Sequence, residues 1–328
     1  MIVAGTALAH ARGAALRGAL ACALLALVAC GGNRSTNRSS PSDISSPGAA
    51  TQTAAATSPA TAQPAAASLV LPRGGTQIFP RYRVVAYYGA AETPAMGVLG
   101  QGTPDAIAQR LVVAAKRFEP FGRPVMPAFE LIVTVAQHDA GATGSYSGHA
   151  DDADIERYLT AARRVHAIAI LDIQPGYRSF LADVRHFERY LVRPDVSLAL
   201  DPEWKMTPPA IPGSTIGHSN AEVVNQVSGY LADLVARRHL PQKLLVLHRF
   251  EPEMIEHAQT IVPRPGLAIT FHADGFGLRK VKLDDYRILH RKAPFFNGFK
   301  LFYQQDINMM PPADVAKLNP TPDLITYE

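Results

Sequence analysis

Ala167-Ile168-Ala169-Ile170-Leu171-Asp172-Ile173-Gln174 and Val196-Ser197-Leu198-Ala199-Leu200-Asp201-Pro202-Glu203 decide how this chain reads. Each is a short apolar run that ends in acids. Between them, residues 179–191 repeat apolar side chains at helical spacing. Strand, helix, strand is the unit of a parallel sheet, because parallel neighbours need a crossover connection. Working outward, similar runs occur at 83–89, 126–136, 243–251, 267–274, 298–304 and 323–328, which makes eight candidate strands. Helical patterns separate most of them. Thr103-Pro104 reads as an N-cap followed by Pro at the first helical position. Residues 153–164 are amphipathic. Ser219 and Glu222 read as a capping box that opens a helix to about Arg238. Residues 284–291 and 312–318 read as shorter helices. Eight such units in about 250 residues predict a single α/β domain, a (β/α)8 TIM-type barrel. The rival, an open doubly wound sheet, calls for a glycine-rich turn directly after its first strand. Gly97-Val98-Leu99-Gly100-Gln101-Gly102 follows a loop and reads as plain connection. After strand eight the barrel either lacks a final helix or covers that place with the segment before strand one.

The sequence upstream of 73 has another character. Arg12 and Arg17 precede an apolar stretch, 18–29, which is too short for the roughly 20 residues of a membrane span. Leu27-Val28-Ala29-Cys30 then matches the lipobox of bacterial lipoproteins, so residues 1–29 are expected to be a signal peptide and Cys30 the lipidated N-terminus. The chain has only two cysteines, Cys22 and Cys30, so the domain at 73–328 can form no disulfide. Residues 30–72 are rich in Ser, Thr, Ala and Pro, and are expected to form a disordered tether. The chain is thus expected to be exported and held on the outer side of the cytoplasmic membrane by its lipid. The formal net charge is +4 without a basic patch interleaved with aromatics, so no nucleic-acid partner is expected. A monomer is expected.

Strand side chains alternate, so each strand has one lumen face. Polar residues there carry information, because an unpaired polar group in a barrel interior is costly. Asp172 and Gln174 share a face. Asp201 and Glu203 share one with small Ser197 and Ala199. Strand two offers Glu130 and Thr134; strand six Thr270, His272 and Asp274; strand seven Lys300 and Gln304. His248 and Glu251 end strand five on opposite faces. Carboxylates crowded at one mouth push each other's pKa apart, and glycoside hydrolysis needs such a pair. Glu203 is the expected proton donor, with Asp201, Asp172 or Glu130 as its ionised partner and Lys300 keeping Asp201 charged. Trp204, the only tryptophan, could stack on a sugar ring. Tyr88, Gln174, His272, Asp274, Lys300 and Tyr303 are candidates for holding the substrate. No cofactor is expected. Two other chemistries fit the residue types: a divalent ion on His272, Asp274, His248 and Asp172, and a Schiff base on Lys300.

Tyr87-Tyr88-Gly89, Gly97-Val98-Leu99-Gly100, Glu130-Leu131-Ile132-Val133-Thr134-Val135, Leu171-Asp172-Ile173-Gln174, Asp201-Pro202-Glu203-Trp204 and Gly298-Phe299-Lys300-Leu301-Phe302-Tyr303 resemble a group of exported actinobacterial proteins, many of them lipoproteins. The resemblance runs from about residue 83 to the end of the chain. It implies export and a glycosidase-like barrel, and it carries over no catalytic residue. Asp201 and Glu203 also resemble the end of the strand-four motif of family 18 chitinases. Ser197, Leu198 and Ala199 stand where that motif has its earlier Asp and Gly. A glycan-directed hydrolase is therefore the leading expectation, and a non-catalytic glycan-binding or scaffold lipoprotein the alternative.

Overall fold

The computed structural model describes residues 69–328; the expected signal peptide, Cys30 and most of the expected tether lie outside the described residues. Eight parallel strands close into a barrel: β1 (Arg83–Ala90), β2 (Val125–Ala136), β3 (Ile168–Ile173), β4 (Val196–Leu200), β5 (Lys243–Arg249), β6 (Leu267–Ala273), β7 (Phe296–Leu301) and β8 (Leu324–Tyr327). Neighbours in sequence are neighbours in the barrel, and β8 closes on β1 with Val84 opposite Leu324 and Tyr87 opposite Tyr327. A three-residue strand, Ser147–His149, adds antiparallel to the end of β2. The fold is a single (β/α)8 barrel, as the strand count predicts.

Helices α1 (Pro104–Lys116), α2 (Asp152–Arg164), α3 (Phe180–His186), α4 (Glu188–Leu191), α5 (Ala221–Arg238), α6 (Arg279–Leu289) and α7 (Pro312–Val315) pack outside the strands. The Thr103 hydroxyl accepts from the Ala106 amide and caps α1. The stretch 179–191 is two helices meeting at buried Phe187. The expected Ser219–Glu222 box is shifted by one residue. Ser219 is held extended beside Ile255, so the Asn220 side chain caps α5 instead, at 3.0 Å from the Val223 amide. Helix α6 starts five residues before the expected 284. Lys282 is buried there, its ammonium held by both Asp306 oxygens and the Lys300 carbonyl. Between β5 and β6 no α-helix forms. That connection holds two 3-10 turns, Pro252–Met254 and Ala258–Thr260, and the short strand Ile255–Glu256.

The interior is layered. Outward strand residues such as Val85, Phe129, Leu171, Leu198, Leu247 and Phe271 build the core beneath the helices. The lower lumen is filled by Val84, Ala86, Met126, Ile170, Ala199 and Val246, and Ile78 and Phe79 from the preceding segment plug its floor. The Gln242 side-chain oxygen, at the foot of β5, accepts from the Ile78 and Phe79 amides and fixes the plug. The segment before strand one therefore seals the N-terminal end of the barrel. Gly97 touches the backbone of β1: a Cβ there would lie 2.5 Å from the Tyr88 carbonyl oxygen. This accounts for Gly97-Val98-Leu99-Gly100 as a backbone contact. Among the described residues, no helix is long and apolar enough to cross a membrane.

Candidate active site

Above the apolar layers the lumen turns polar. Side-chain alternation brings Tyr88, Glu130, Asp172, Asp201, His248, His272, Lys300 and Thr326 inward at the C-terminal ends of the strands, and all are buried. Asp274 follows β6 on the same face. Glu328, half-buried, follows β8. Glu203 reaches the rim by a different route from the one expected. Strand β4 ends at Leu200, and Pro202–Trp204 form a 3-10 turn, so Glu203 overhangs the mouth from a turn. Trp204, in the same turn, is half-buried.

His248 is the centre of the cluster. Its Nε2 lies 2.9 Å from Glu130 Oε1 and its Nδ1 3.0 Å from Asp274 Oδ2. Burial alone would discharge the imidazole, but two carboxylates outweigh it and raise the pKa well above the ordinary value, so His248 is an imidazolium. Thr326 donates to the other oxygen of Glu130 at 3.1 Å. With both ring nitrogens engaged, His248 is not available to the divalent-ion set with His272, Asp274 and Asp172. Among the described residues, no three acidic, His or Cys side chains are arranged to hold a metal ion.

Lys300 is the second cation. Its ammonium lies 2.7 Å from Glu328 Oε2 and 3.5 Å from the centroid of the Tyr88 ring. Burial lowers its pKa, but Glu328 and Asp274 more than reverse that, so the amine stays protonated and cannot act as the Schiff-base nucleophile. Lys300 is committed to Glu328, and so it does not keep Asp201 charged as the sequence suggested. Asp201, desolvated and beside Asp172, has its pKa raised well above the carboxylate range.

Six carboxyl groups thus face two cations, and the excess must be met by protonation. Asp172 is pushed up to about 6 by burial and by Glu130, against His248, Lys300 and a 3.0 Å hydrogen bond from the Tyr88 hydroxyl. Glu203 is pushed up to about 8 by desolvation and then by Asp274, its strongest charged neighbour. Asp274 moves the other way: burial raises it, but the His248 hydrogen bond and charge prevail and lower it. Glu203 and Asp274, at the mouth, are thus shifted in opposite directions.

Several buried polar atoms have no hydrogen-bond partner among the described residues: Asp172 Oδ1, Asp201 Oδ1, Asp274 Oδ1, Thr134 Oγ1 and both nitrogens of His272. Burial, and then the charge of His248, keep His272 neutral, which leaves it one donor and one acceptor to offer. The polar layer thus holds unpaired donors and acceptors of both kinds, which buried polar groups normally avoid. Gln174 donates to the Tyr88 hydroxyl at 3.1 Å and accepts from the Ala136 amide, so it braces the site.

Two candidates fall outside this cluster. Strand β7 ends at Leu301, so Gln304 lies in the following turn. Tyr303 stacks on outward-facing Tyr327 at 5.3 Å and is 45% exposed, so it belongs to the outer rim. Thr326 and Glu328 are site residues the sequence reading passed over. Both follow the same period-two alternation that exposed the acids of β3 and β4.

His272 is wedged against β7, where a Cβ on Gly298 would stand 2.1 Å from His272 Nδ1. Gly298→Ala should cost about 1–3 kcal/mol of stability by overpacking the lumen. Denaturant unfolding checks this, and an unchanged midpoint would show that His272 moves freely. No family model and no curated protein matches the chain.

Proposed function

We propose that the barrel is a hydrolase acting on an extracellular or cell-wall glycan, with Glu203 as the proton donor and Asp274 as the ionised partner. The observation that carries this reading is the opposed pair at the mouth: two neighbouring carboxyl groups, one shifted up to about 8 and the other down. Such a split lets one carboxyl protonate a leaving oxygen while the other attacks or activates water. His248 fixes one oxygen of Asp274, and the second is unpartnered. Asp172, Asp201, Gln174, His272 and Lys300 supply the polar wall, and half-buried Trp204 offers an aromatic edge at the rim. The deciding experiment is a screen of the purified chain against cell-wall and polysaccharide substrates, with Asp274→Asn beside wild type. Release of reducing ends that Asp274→Asn retains in full would refute the assignment.

A second reading, a non-catalytic glycan-binding barrel, is favoured by the commitment of both Glu130 oxygens and of Glu328 to lumen partners. Glycan binding without turnover in the same screen would select it.

The proposal places this chemistry outside the cytoplasm, anchored through lipid on Cys30. Cys30→Ala is expected to block lipidation and shift the protein from the membrane fraction to precursor or released forms. Unchanged membrane retention on fractionation would rule the anchor out.

A further inference from the structure

A second polar site lies on the outer wall of the barrel, where the helix layer is interrupted. The connection between β5 and β6 has no helix, and a groove of about 630 Å³ opens beside it. Its wall includes Arg249, the last residue of β5, and Arg291, which follows α6. Arg249 alternates with His248, so it points away from the lumen and its acids. It is 2% exposed, yet among the described residues no carboxylate is paired with it. Its guanidinium donates to the Leu289 carbonyl at 2.6 Å and lies 4.8 Å from the Phe271 ring centroid. Arg291 lies 5.4 Å from the same ring centroid. The Nε atoms of both arginines are buried without a hydrogen-bond partner among the described residues.

Two guanidinium groups against one ring, neither in an ion pair among the described residues, form a cationic site that only the exposed Glu253 and Glu256 offset. Leaving a buried charge uncompensated is among the more costly arrangements a fold can hold. Burial, and then the charge of Arg291, lower the Arg249 pKa to about 10 against the charge of Glu253, so Arg249 remains cationic at neutral pH. Exposed His257 and His218 line the same groove and can donate further hydrogen bonds. Two exposed carboxylates, Glu253 and Glu256, also line it. Their charge opposes an extended polyanion and selects a compact one that reaches past them to the arginines.

We propose that this groove is a binding site for a single phosphoryl group, carried as inorganic phosphate or as the phosphomonoester of a small sugar phosphate. A phosphoryl group suits the donors: arginine forks match its oxygens in paired hydrogen bonds, and its double charge answers two guanidinium groups where a carboxylate answers one. The site is independent of the lumen and does not rest on the glycan reading.

The test is titration of the purified full chain, in mild detergent, with inorganic phosphate and separately with glucose 6-phosphate, followed by calorimetry and thermal melting. Chloride at matched ionic strength removes the general salt effect. Saturable binding is expected, with a melting temperature that rises with ligand concentration. Tighter binding of one probe identifies the source of the phosphoryl group. Arg291→Gln, at a half-buried position, should weaken binding by about tenfold, the loss of a charge-assisted hydrogen bond. Arg249→Gln should weaken it at least as much, and Arg291→Gln decides the matter if Arg249→Gln does not fold. No binding of either probe beyond the chloride control overturns the proposal. So does binding that Arg291→Gln leaves unchanged.

Discussion

Glu203→Gln is expected to lower glycan hydrolysis by about 10²–10⁴-fold, the usual contribution of a positioned general acid. The substitution keeps the shape of the side chain and removes its proton. It also removes a carboxyl that burial and Asp274 already hold neutral up to about pH 8, so folding should be little affected. The pH profile adds an independent readout. Glu203 donates only when protonated, so wild-type activity should fall as pH rises through about 8. Asp274 must be ionised, and its lowered pKa puts that limb below the ordinary carboxylate range. Rates measured across pH on any substrate that is turned over check both limbs. A Glu203→Gln enzyme working near the wild-type rate would remove Glu203 from the mechanism.

His248→Gln should have the largest effect on stability. The imidazolium sits between Glu130 and Asp274, and removing it leaves two buried carboxylates without their counter-charge. Losing one member of a buried ionic network costs about 3–5 kcal/mol. For a domain of this size that corresponds to a fall of about 10 °C in melting temperature. The pH dependence has a definite sign. The folded-state pKa of His248 is raised, so its stabilisation is fully present below the ordinary histidine value of about 6.5. It is lost only as pH climbs through the raised folded value, on the alkaline side. Wild-type protein should therefore lose stability in alkali through this group, and His248→Gln should lack that loss. Melting curves of both proteins across pH would show it. A variant that melts within a degree or two of wild type would mean that the cluster is not held by His248.

The barrel was legible because its signal is local. Each strand announces itself by a short apolar run, and the count of eight survives errors of a few residues at any boundary. The acids were legible for the same reason: Asp172 and Asp201 lie at positions that alternation sends inward. Their partners were not, because pairing in a closed barrel depends on stagger between strands. Nothing in β2 or β5 taken alone says that Glu130 will meet His248, or that Thr326 will bond to Glu130 from 196 positions away. Asp201 resembled the better base beside Glu203 in sequence, but the fold surrounds it with acids and gives the cation to Asp274. Tyr303 was misplaced because its strand stops at Leu301, and the turn that follows carries it to the outer rim. The arginine groove gave no sequence signal at all. Arg249 reads as an ordinary charged strand end until the missing crossover helix is seen.

The seam between the first and last strands bears on how the molecule acquires its chemistry. Closure joins residues from opposite ends of the domain's sequence, Val84 with Leu324, the kind of long-range pairing that makes folding slow. Strand β8 carries Thr326, which holds Glu130, and is followed by Glu328, which holds Lys300. With that strand undocked, Glu130 would lose Thr326 and Lys300 would lose Glu328, and water would reach the lumen. The unequal carboxyls of the mouth therefore depend on this closure, and a barrel opened at the seam would lose its chemistry while keeping most of its strands.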